Sequence, residues 1–359
     1  MINLWIKLLR ISIKFFHYDE GGILVKKGNN TELKELAKSV LKNYNIIPDD
    51  LNIIQNNGLK TLWKVTHNQQ NKCLKRLKHE KDKALFTVNA QIYIWNKGGK
   101  VPKVYLNDKK EPITEYNGQL FVLYEWIDGK DLYFNKSKDL SIALEGLAKF
   151  HVASKGYKAP LGAKISSKLG RWPSQYESMK NRMLKWKEQA KQNPKNKAYS
   201  AYLKSIDTII AIADKALNDL KKSPYNTLTD IALEESSLCH QDYGKGNVLL
   251  LGNDAYVIDL DGLTYDLVIR DLRKIIGKRI EKGGKWDKGV IETIIKYYEK
   301  GNKLTEDERE ILKIDLLFPH WFFAKVKNIF KKNKTLNPYE ILKIAQLEKS
   351  KEIVLKDLF

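Results

Sequence analysis

Residues 238–261 read Leu-Cys-His-Gln-Asp-Tyr-Gly-Lys-Gly-Asn-Val-Leu-Leu-Leu-Gly-Asn-Asp-Ala-Tyr-Val-Ile-Asp-Leu-Asp. This stretch holds carboxylates, an amide and a histidine at spacings suited to phosphoryl transfer. Positions 248–251 and 256–258 are short apolar runs, and Gly252-Asn253-Asp254 between them favours a turn, so the segment predicts an antiparallel hairpin. Pairing Leu251 with Ala255 puts Asn247 opposite Asp259 at its open end. A carboxylate and an amide carbonyl suit a hard cation such as Mg²⁺, which keeps several waters and draws further ligands from substrate phosphates. Asp242 precedes Asn247 on the loop entering the hairpin, where a carboxylate can take the proton of an attacking hydroxyl, and His240 would orient that loop. Asp261 is either a second metal ligand or a hydrogen-bonding support; in an extended chain its carboxylate and that of Asp259 would point to one side.

Those groups need elements to position them. Asn30 is placed to cap a helix whose Leu33, Leu36, Ala37, Val40, Leu41 and Tyr44 follow the i, i+3, i+4, i+7 pattern. Strands are expected at 62–66 and 72–77 around a polar turn at 68–71, preceded by a turn over 55–61 that contains Gly58. In the second strand Cys73, Lys75 and Leu77 share a face. A helix over 83–95 holds no acidic residue, and 120–124 is an apolar strand broken by Glu125-Trp126-Ile127-Asp128-Gly129. Further helices are expected at 140–154, 174–192, 199–221, 287–300 and 306–331, the last opened by the capping box Thr305-x-x-Glu308. His151 reads as a buried, hydrogen-bonded histidine. The consecutive aromatics of Pro319-His320-Trp321-Phe322-Phe323 point around a helix and so read as core rather than as a cation cage, with His320 left open.

His240-x-Asp242-x-x-x-x-Asn247 followed by Ile258-Asp259-x-Asp261 resembles the catalytic loop and metal motif of the aminoglycoside phosphotransferase and choline kinase group, within the protein kinase-like fold. Gly is more usual where Gln241 stands. Leu62-Trp63-Lys64, Lys83-Ala84-Leu85-Phe86, Ala90-Gln91, Gly170-Arg171-Trp172-Pro173, Tyr265-Asp266-Leu267 and Arg270-Asp271-Leu272-Arg273-Lys274 resemble the CotS-type spore coat kinase-like proteins of endospore-forming bacteria, over about residues 31 to 359. The resemblance implies an α+β, two-lobed fold: a nucleotide-binding small lobe over 31–126, with an antiparallel sheet plus helices, and a mostly helical large lobe over 127–359 with the catalytic loop and acceptor site.

It further implies that Lys75 holds the α- and β-phosphates of ATP or another nucleoside triphosphate, that Cys73 lines the adenine side, and that the turn at Gly58 covers the phosphates. Backbone groups of Glu125, Trp126 and Ile127 would bond the adenine edge, and Asp271 would accept backbone hydrogen bonds from the loop around His240. Lys75 reads otherwise as an exposed strand charge, and Trp126 as core packing. The usual Glu partner of the strand lysine has no counterpart in the next helix; Glu80, Asp82 or a neutral Gln91 are the candidates. Lys180, Arg182, Lys185 and Lys187, behind 170–176, would hold an anionic acceptor or else form a solvated helix face, and Lys245 would neutralise the transferred phosphate.

Composition narrows little. The chain of 359 residues is long enough for two lobes, and its net charge of +21 invites a polyanion reading. Only eight of the 64 basic residues are Arg, and the lysines lie scattered among acids, so a solvated surface is expected and a nucleic-acid partner is not. Cys73 and Cys239 form no metal spacing and suit a reducing cytosol. Residues 1–24 read as a basic amphipathic helix on a membrane, too interrupted by charge to span it, or as non-native sequence ahead of a GTG start at Val25; the latter is favoured. No transmembrane segment is expected.

The expected activity is ATP- and Mg²⁺-dependent phosphoryl transfer to a hydroxyl of a small molecule or coat-associated acceptor. The expected place is the mother-cell cytoplasm or the spore coat, with other coat proteins as partners. The rival is a kinase-shaped structural coat protein of weak or no catalysis. A protein kinase is disfavoured, because no Arg follows the catalytic His and no Ala-Pro-Glu segment follows the metal Asp.

Overall fold

A computed structural model describes residues 29–58, 60–332 and 336–359. The readings of residues 1–24 and of Val25 lie outside the described residues.

Helix α1 (Asn30–Leu41) is capped by Asn29 rather than Asn30. The Asn29 side chain accepts from the Thr31 amide and the Glu32 carboxylate accepts from the Asn29 amide, because only that start puts Glu32 at the third helical position of a capping box. Strands β1 (Asp50–Asn57), β2 (Lys60–His67) and β3 (Gln70–Leu77), helix α2 (Lys81–Asn96), and strands β4 (Val104–Tyr105), β5 (Thr114–Tyr116) and β6 (Gln119–Glu125) follow. The strands form one antiparallel sheet ordered β1-β2-β3-β6-β4, with β5 also on β6. Both early turns are shorter than expected. His67 pairs with Gln70 around Asn68 and Gln69, both at positive φ as a type I′ turn requires, and the turn at Gly58 shrinks because β1 extends through Asn57.

Alternate residues of β6 face two cores. Phe121 and Leu123 pack with Trp63, Val65 and Leu74 under Leu33, Ala37, Val40 and Leu41 of α1, whereas Leu120, Val122 and Tyr124 face Ala84 and Val88 of α2. Fully burying each such side chain contributes about 1.5–3 kcal/mol. Helix α2 is buried on more than one side, since its Phe86, Ala90 and Ile94 belong to the core of the large lobe. It therefore ties the sheet to the rest of the molecule.

The remaining chain runs through β7 (Lys130–Asp131), α3 (Ser137–Ser154), α4 (Trp172–Lys191), α5 (Lys197–Lys222), α6 (Tyr225–Thr229), β8 (Leu238–Cys239), β9 (Val248–Leu251), β10 (Asp254–Val257), β11 (Thr264–Tyr265), α7 (Ile269–Gly283), α8 (Lys288–Tyr298), α9 (Glu306–Leu317), α10 (His320–Lys332) and α11 (Pro338–Lys356). The long helix expected over 306–331 is two helices. Phe318, held extended at ψ 137° before Pro319, ends α9, and Pro319 has no amide to continue it. His151 is buried and hydrogen-bonded to Tyr298 and Asp271, and Phe322 and Phe323 are core. His320 also resolves as a structural residue, bonded through Nε2 to Asp315 at 2.7 Å. Two short β units, β10-β9-β7 and β11-β8, sit where the catalytic segment was expected. No helix among the described residues is long and apolar enough to cross a membrane.

Candidate phosphotransfer site

The loop after β8 is held from below by the first turn of α7. Asp271, 1% exposed, accepts the His240 amide at 2.6 Å and the Gln241 amide at 2.9 Å, one on each carboxylate oxygen, while His151 Nε2 lies 3.3 Å away. Burial pushes this carboxyl up, but the bond and charge of His151, with Lys274 and His240, outweigh it and hold it well below the usual carboxylate range. Gln241 stands at φ 71°, a left-handed conformation that glycine adopts without strain. The structure compensates: Lys274 Nζ donates to the Gln241 carbonyl at 2.5 Å and to its side-chain oxygen at 2.8 Å. Burial draws the Lys274 ammonium down to about 8 despite Asp271.

His240 joins two halves of the site. Its Nδ1 accepts the Asp242 amide at 3.3 Å, and its Nε2 lies 3.0 Å from the Ile258 carbonyl, so the ring fixes Asp242 relative to the residue before Asp259. The Asp242 side chain is 63% exposed, with Lys278 Nζ at 3.6 Å. Asn247 is buried and donates its Nδ2 to the Asp242 carbonyl at 2.8 Å, a bond that does not use its side-chain oxygen.

The hairpin register differs by one from the expected one. Leu251 pairs with Asp254 around a two-residue turn that opens at Gly252, φ 60°, so Val257 pairs with Val248 and Asn247 lies opposite Ile258, whose amide donates to the Asn247 carbonyl at 3.0 Å. Asp259 and Asp261 do not alternate along a strand either. Asp259 is left-handed (φ 61°, ψ 61°) and caps a 3-10 turn, Leu260–Gly262, that folds both carboxylates toward the small lobe.

There they meet two lysines. Lys75 Nζ, on the α2 face of β3 between Cys73 and Leu77, lies 2.9 Å from Asp259 Oδ1 and 2.5 Å from Asp261 Oδ1. Burial would lower this ammonium, but Asp261 and Asp259 outweigh it and raise it. Lys60 Nζ stands 3.0 Å from both Asp259 oxygens. The expected partners of Lys75 are not used: Gln91 donates to the Pro102 carbonyl at 2.6 Å, and neither Glu80 nor Asp82 bonds the lysine. Lys75 is 5% exposed, so it is not a strand charge in solvent.

The other expected nucleotide contacts border the same cleft. Cys73 pairs with Tyr124 across β3 and β6, and burial pushes its thiol up to about 11. Gly58, φ 71°, has its carbonyl bound by Arg76, and the space where its Cβ would stand is open. The Glu125 amide is taken by the Lys103 carbonyl at 2.8 Å, so of the expected adenine edge that donor is spent; Ile127, behind it, is buried. Trp126 is half-buried, with Lys64 over its ring at 5.0 Å and no partner for Nε1 among the described residues. Lys245 Nζ lies over the Tyr133 ring, 4.4 Å from its centroid. The basic face of α4 is largely an ion-paired one: Lys180 bonds Glu177 and Asp214, and Lys187 pairs with Asp207, while Arg182 and Lys185 carry no acidic partner among the described residues. Neither Lys60 nor Lys274, although the latter stands in the Arg270–Lys274 motif, is marked for a role by the sequence, because 64 basic residues dilute any single lysine; position directly behind a Gly turn and one helical turn from Asp271 were the available signals.

A sequence profile of the family described as "Spore coat putative kinase YutH" matches residues 38–357. The chain belongs to this family. Spore coat protein S of Bacillus subtilis (strain 168) is 26% identical over 309 residues, covering 84% of this chain and 86% of that protein. Among solved structures, an aminoglycoside phosphotransferase from Alicyclobacillus acidocaldarius subsp. acidocaldarius DSM 446 superposes with a TM-score of 0.68 at 13% identity, over 89% of this chain and 94% of the other. The amicoumacin kinase hAmiN, in complex with AMP-PNP, Ca²⁺ and Ami, gives 0.57 at 15% identity, over 92% and 97%. At such identities these likenesses speak for fold alone. This spore coat kinase family member has the α+β, two-lobed protein kinase-like fold that its motifs implied.

Proposed function

We propose that the protein is an ATP- and Mg²⁺-dependent phosphotransferase that acts on a hydroxyl of a small-molecule or coat-associated acceptor. One observation carries the reading. Asp242, Asn247, Asp259, Asp261 and Lys75 come from three separate parts of the chain, yet contacts of 3.4 Å or less link them: Asn247 to Asp242, His240 from Asp242 to Ile258, and Lys75 to both later carboxylates. Packing alone gives no reason to hold them so.

The donor set fits Mg²⁺ in kind: the Asp259 and Asp261 carboxylates meet at one ammonium, that of Lys75, and Asn247, whose backbone bonds Ile258 next to Asp259, adds an amide oxygen, so these residues would hold it. Bound there, the ion would neutralise charge on the transferring phosphoryl group. Asp242 orients the acceptor hydroxyl and takes its proton, its exposure leaving room for the acceptor. His240 keeps that carboxylate in place, Asp271 supports the loop, and Lys75 grips the phosphate tail. The turn at Gly58 covers the phosphates, and Cys73 with the backbone of Trp126 and Ile127 borders the base. Residues 31–126 form the nucleotide-binding lobe and 127–359 the catalytic and acceptor lobe. The family ties the protein to the spore coat, with coat proteins as partners and the mother-cell cytoplasm or coat as its place.

The structural-scaffold reading has one observation in its favour: no acidic residue stands in α2 between Lys83 and Trp95, so Lys75 lacks a partner on that helix. Calorimetric titration with ATP separates the two. Mg²⁺-dependent binding that Asp259→Ala abolishes supports the enzyme; absence of any Mg²⁺-dependent binding in the unmutated protein overturns it.

A further inference from the structure

Lys60 stands where a bound cation would stand. Its Nζ lies 3.0 Å from Oδ1 and Oδ2 of Asp259 and 3.7 Å from Asp261 Oδ2, with 15% of the side chain exposed. Lys75 holds Oδ1 of both carboxylates, sharing the Asp259 Oδ1 atom with Lys60. Two ammonium groups from the small lobe therefore balance two carboxylates from the large one across the cleft. The tether is short: Lys60 is the first residue of β2, paired with Asn57, directly behind the turn whose Gly58 carbonyl Arg76 binds. A divalent ion drawn to Asp259 would lie within a few ångströms of this ammonium, and like charges at that separation repel strongly where water is scarce.

We propose that Lys60 is a built-in competitor of the metal: it neutralises Asp259 and Asp261 until a metal-bearing nucleotide displaces it. The proposal rests on the phosphotransferase reading above and adds to it a positioning residue with an energetic role. It makes metal binding without nucleotide weak, because an ion must break the Lys60 contacts with no phosphates to compensate.

The test is Mn²⁺ binding alone, read from the electron paramagnetic resonance signal of the free ion, on the full chain and on Lys60→Met, Lys60→Arg and Asp259→Asn, each checked for folding by circular dichroism. Removing the competing charge in Lys60→Met should tighten Mn²⁺ binding roughly tenfold, the equivalent of one ion pair of moderate strength. Lys60→Arg, which keeps the charge, should stay near the unmutated value, and Asp259→Asn should lose the site. Equal or weaker Mn²⁺ binding by Lys60→Met, with Asp259→Asn still losing it, overturns the role of Lys60 and leaves the phosphotransferase reading standing. If neither the unmutated chain nor Lys60→Met binds Mn²⁺, with or without ADP, both fall together.

Discussion

Asp271→Asn isolates the support beneath the catalytic loop. The two carboxylate oxygens accept the His240 amide at 2.6 Å and the Gln241 amide at 2.9 Å, so a side-chain amide of the same shape must turn its NH₂ toward one of those donors whichever way it flips. One charge-assisted bond is lost, worth about 1.5–3 kcal/mol, and the donor it leaves is buried without a partner, at a similar order of cost. A loss of about 3 kcal/mol is a large share of the roughly 5–15 kcal/mol that holds a protein folded. At a urea slope of about 3 kcal/mol per molar this lowers the unfolding midpoint by roughly 1 M.

The pH dependence has a sign. Because the folded-state carboxyl is held below its unfolded value of about 3.9, its contribution is complete above that value and is lost as pH falls through the folded pKa. The gap between the unmutated chain and Asp271→Asn should thus be open at neutral pH and close as pH falls below about 4. Urea titrations across that range decide it: a midpoint shift under about 0.3 M at neutral pH, or a gap that widens on acidification, would refute the reasoning.

Two further outcomes follow from the same geometry. Asp242→Asn should lower the rate of phosphate transfer about 10²- to 10⁴-fold, the range for loss of a general base, while calorimetric nucleotide affinity changes less than about twofold. Lys351→Met should cost about 3–5 kcal/mol in denaturant titrations, because Lys351 Nζ, 2.6 Å from Glu348, is the buried counter-charge of a carboxylate that also accepts the Trp321 and Phe322 amides; adding Glu348→Gln should recover part of the loss.

The catalytic segment was legible because its spacing is local. His240, Asp242, Asn247, Asp259 and Asp261 lie within one loop and one hairpin, so residue types alone carry the motif, although a two-residue turn at Gly252 and a left-handed Asp259 changed the register that places them. Helix α1 was legible by its stripe. Helix α11 was not, since its buried face carries Glu348 and Lys351, charges that a periodicity reading assigns to solvent. Helix α7 was hidden similarly, with Asp271 and Arg273 buried among Leu272, Ile275 and Ile276. Such charges are tolerated because each has a partner from a distant part of the chain, and distant pairing leaves no mark in a local window.

The absent acid in α2 gains a different meaning once Lys75 is seen across the cleft. In a fold where the lysine is held by a helix of its own lobe, moving that helix can switch the site. Here both acids come from the large lobe, at 2.9 Å and 2.5 Å, and α2 itself is clamped: Phe86, Ala90 and Ile94 sit in the large core, Ala84 and Val88 in the small one, and Gln91 donates to the Pro102 carbonyl. A helix packed on both sides cannot swing without opening two cores, each buried Phe, Ile or Val side chain costing about 1.5–3 kcal/mol to expose. The orientation of Lys75 is therefore set by how the lobes close on Asp259 and Asp261. What looks like a lost catalytic partner in the sequence moves control of the lysine from α2 to the cleft itself.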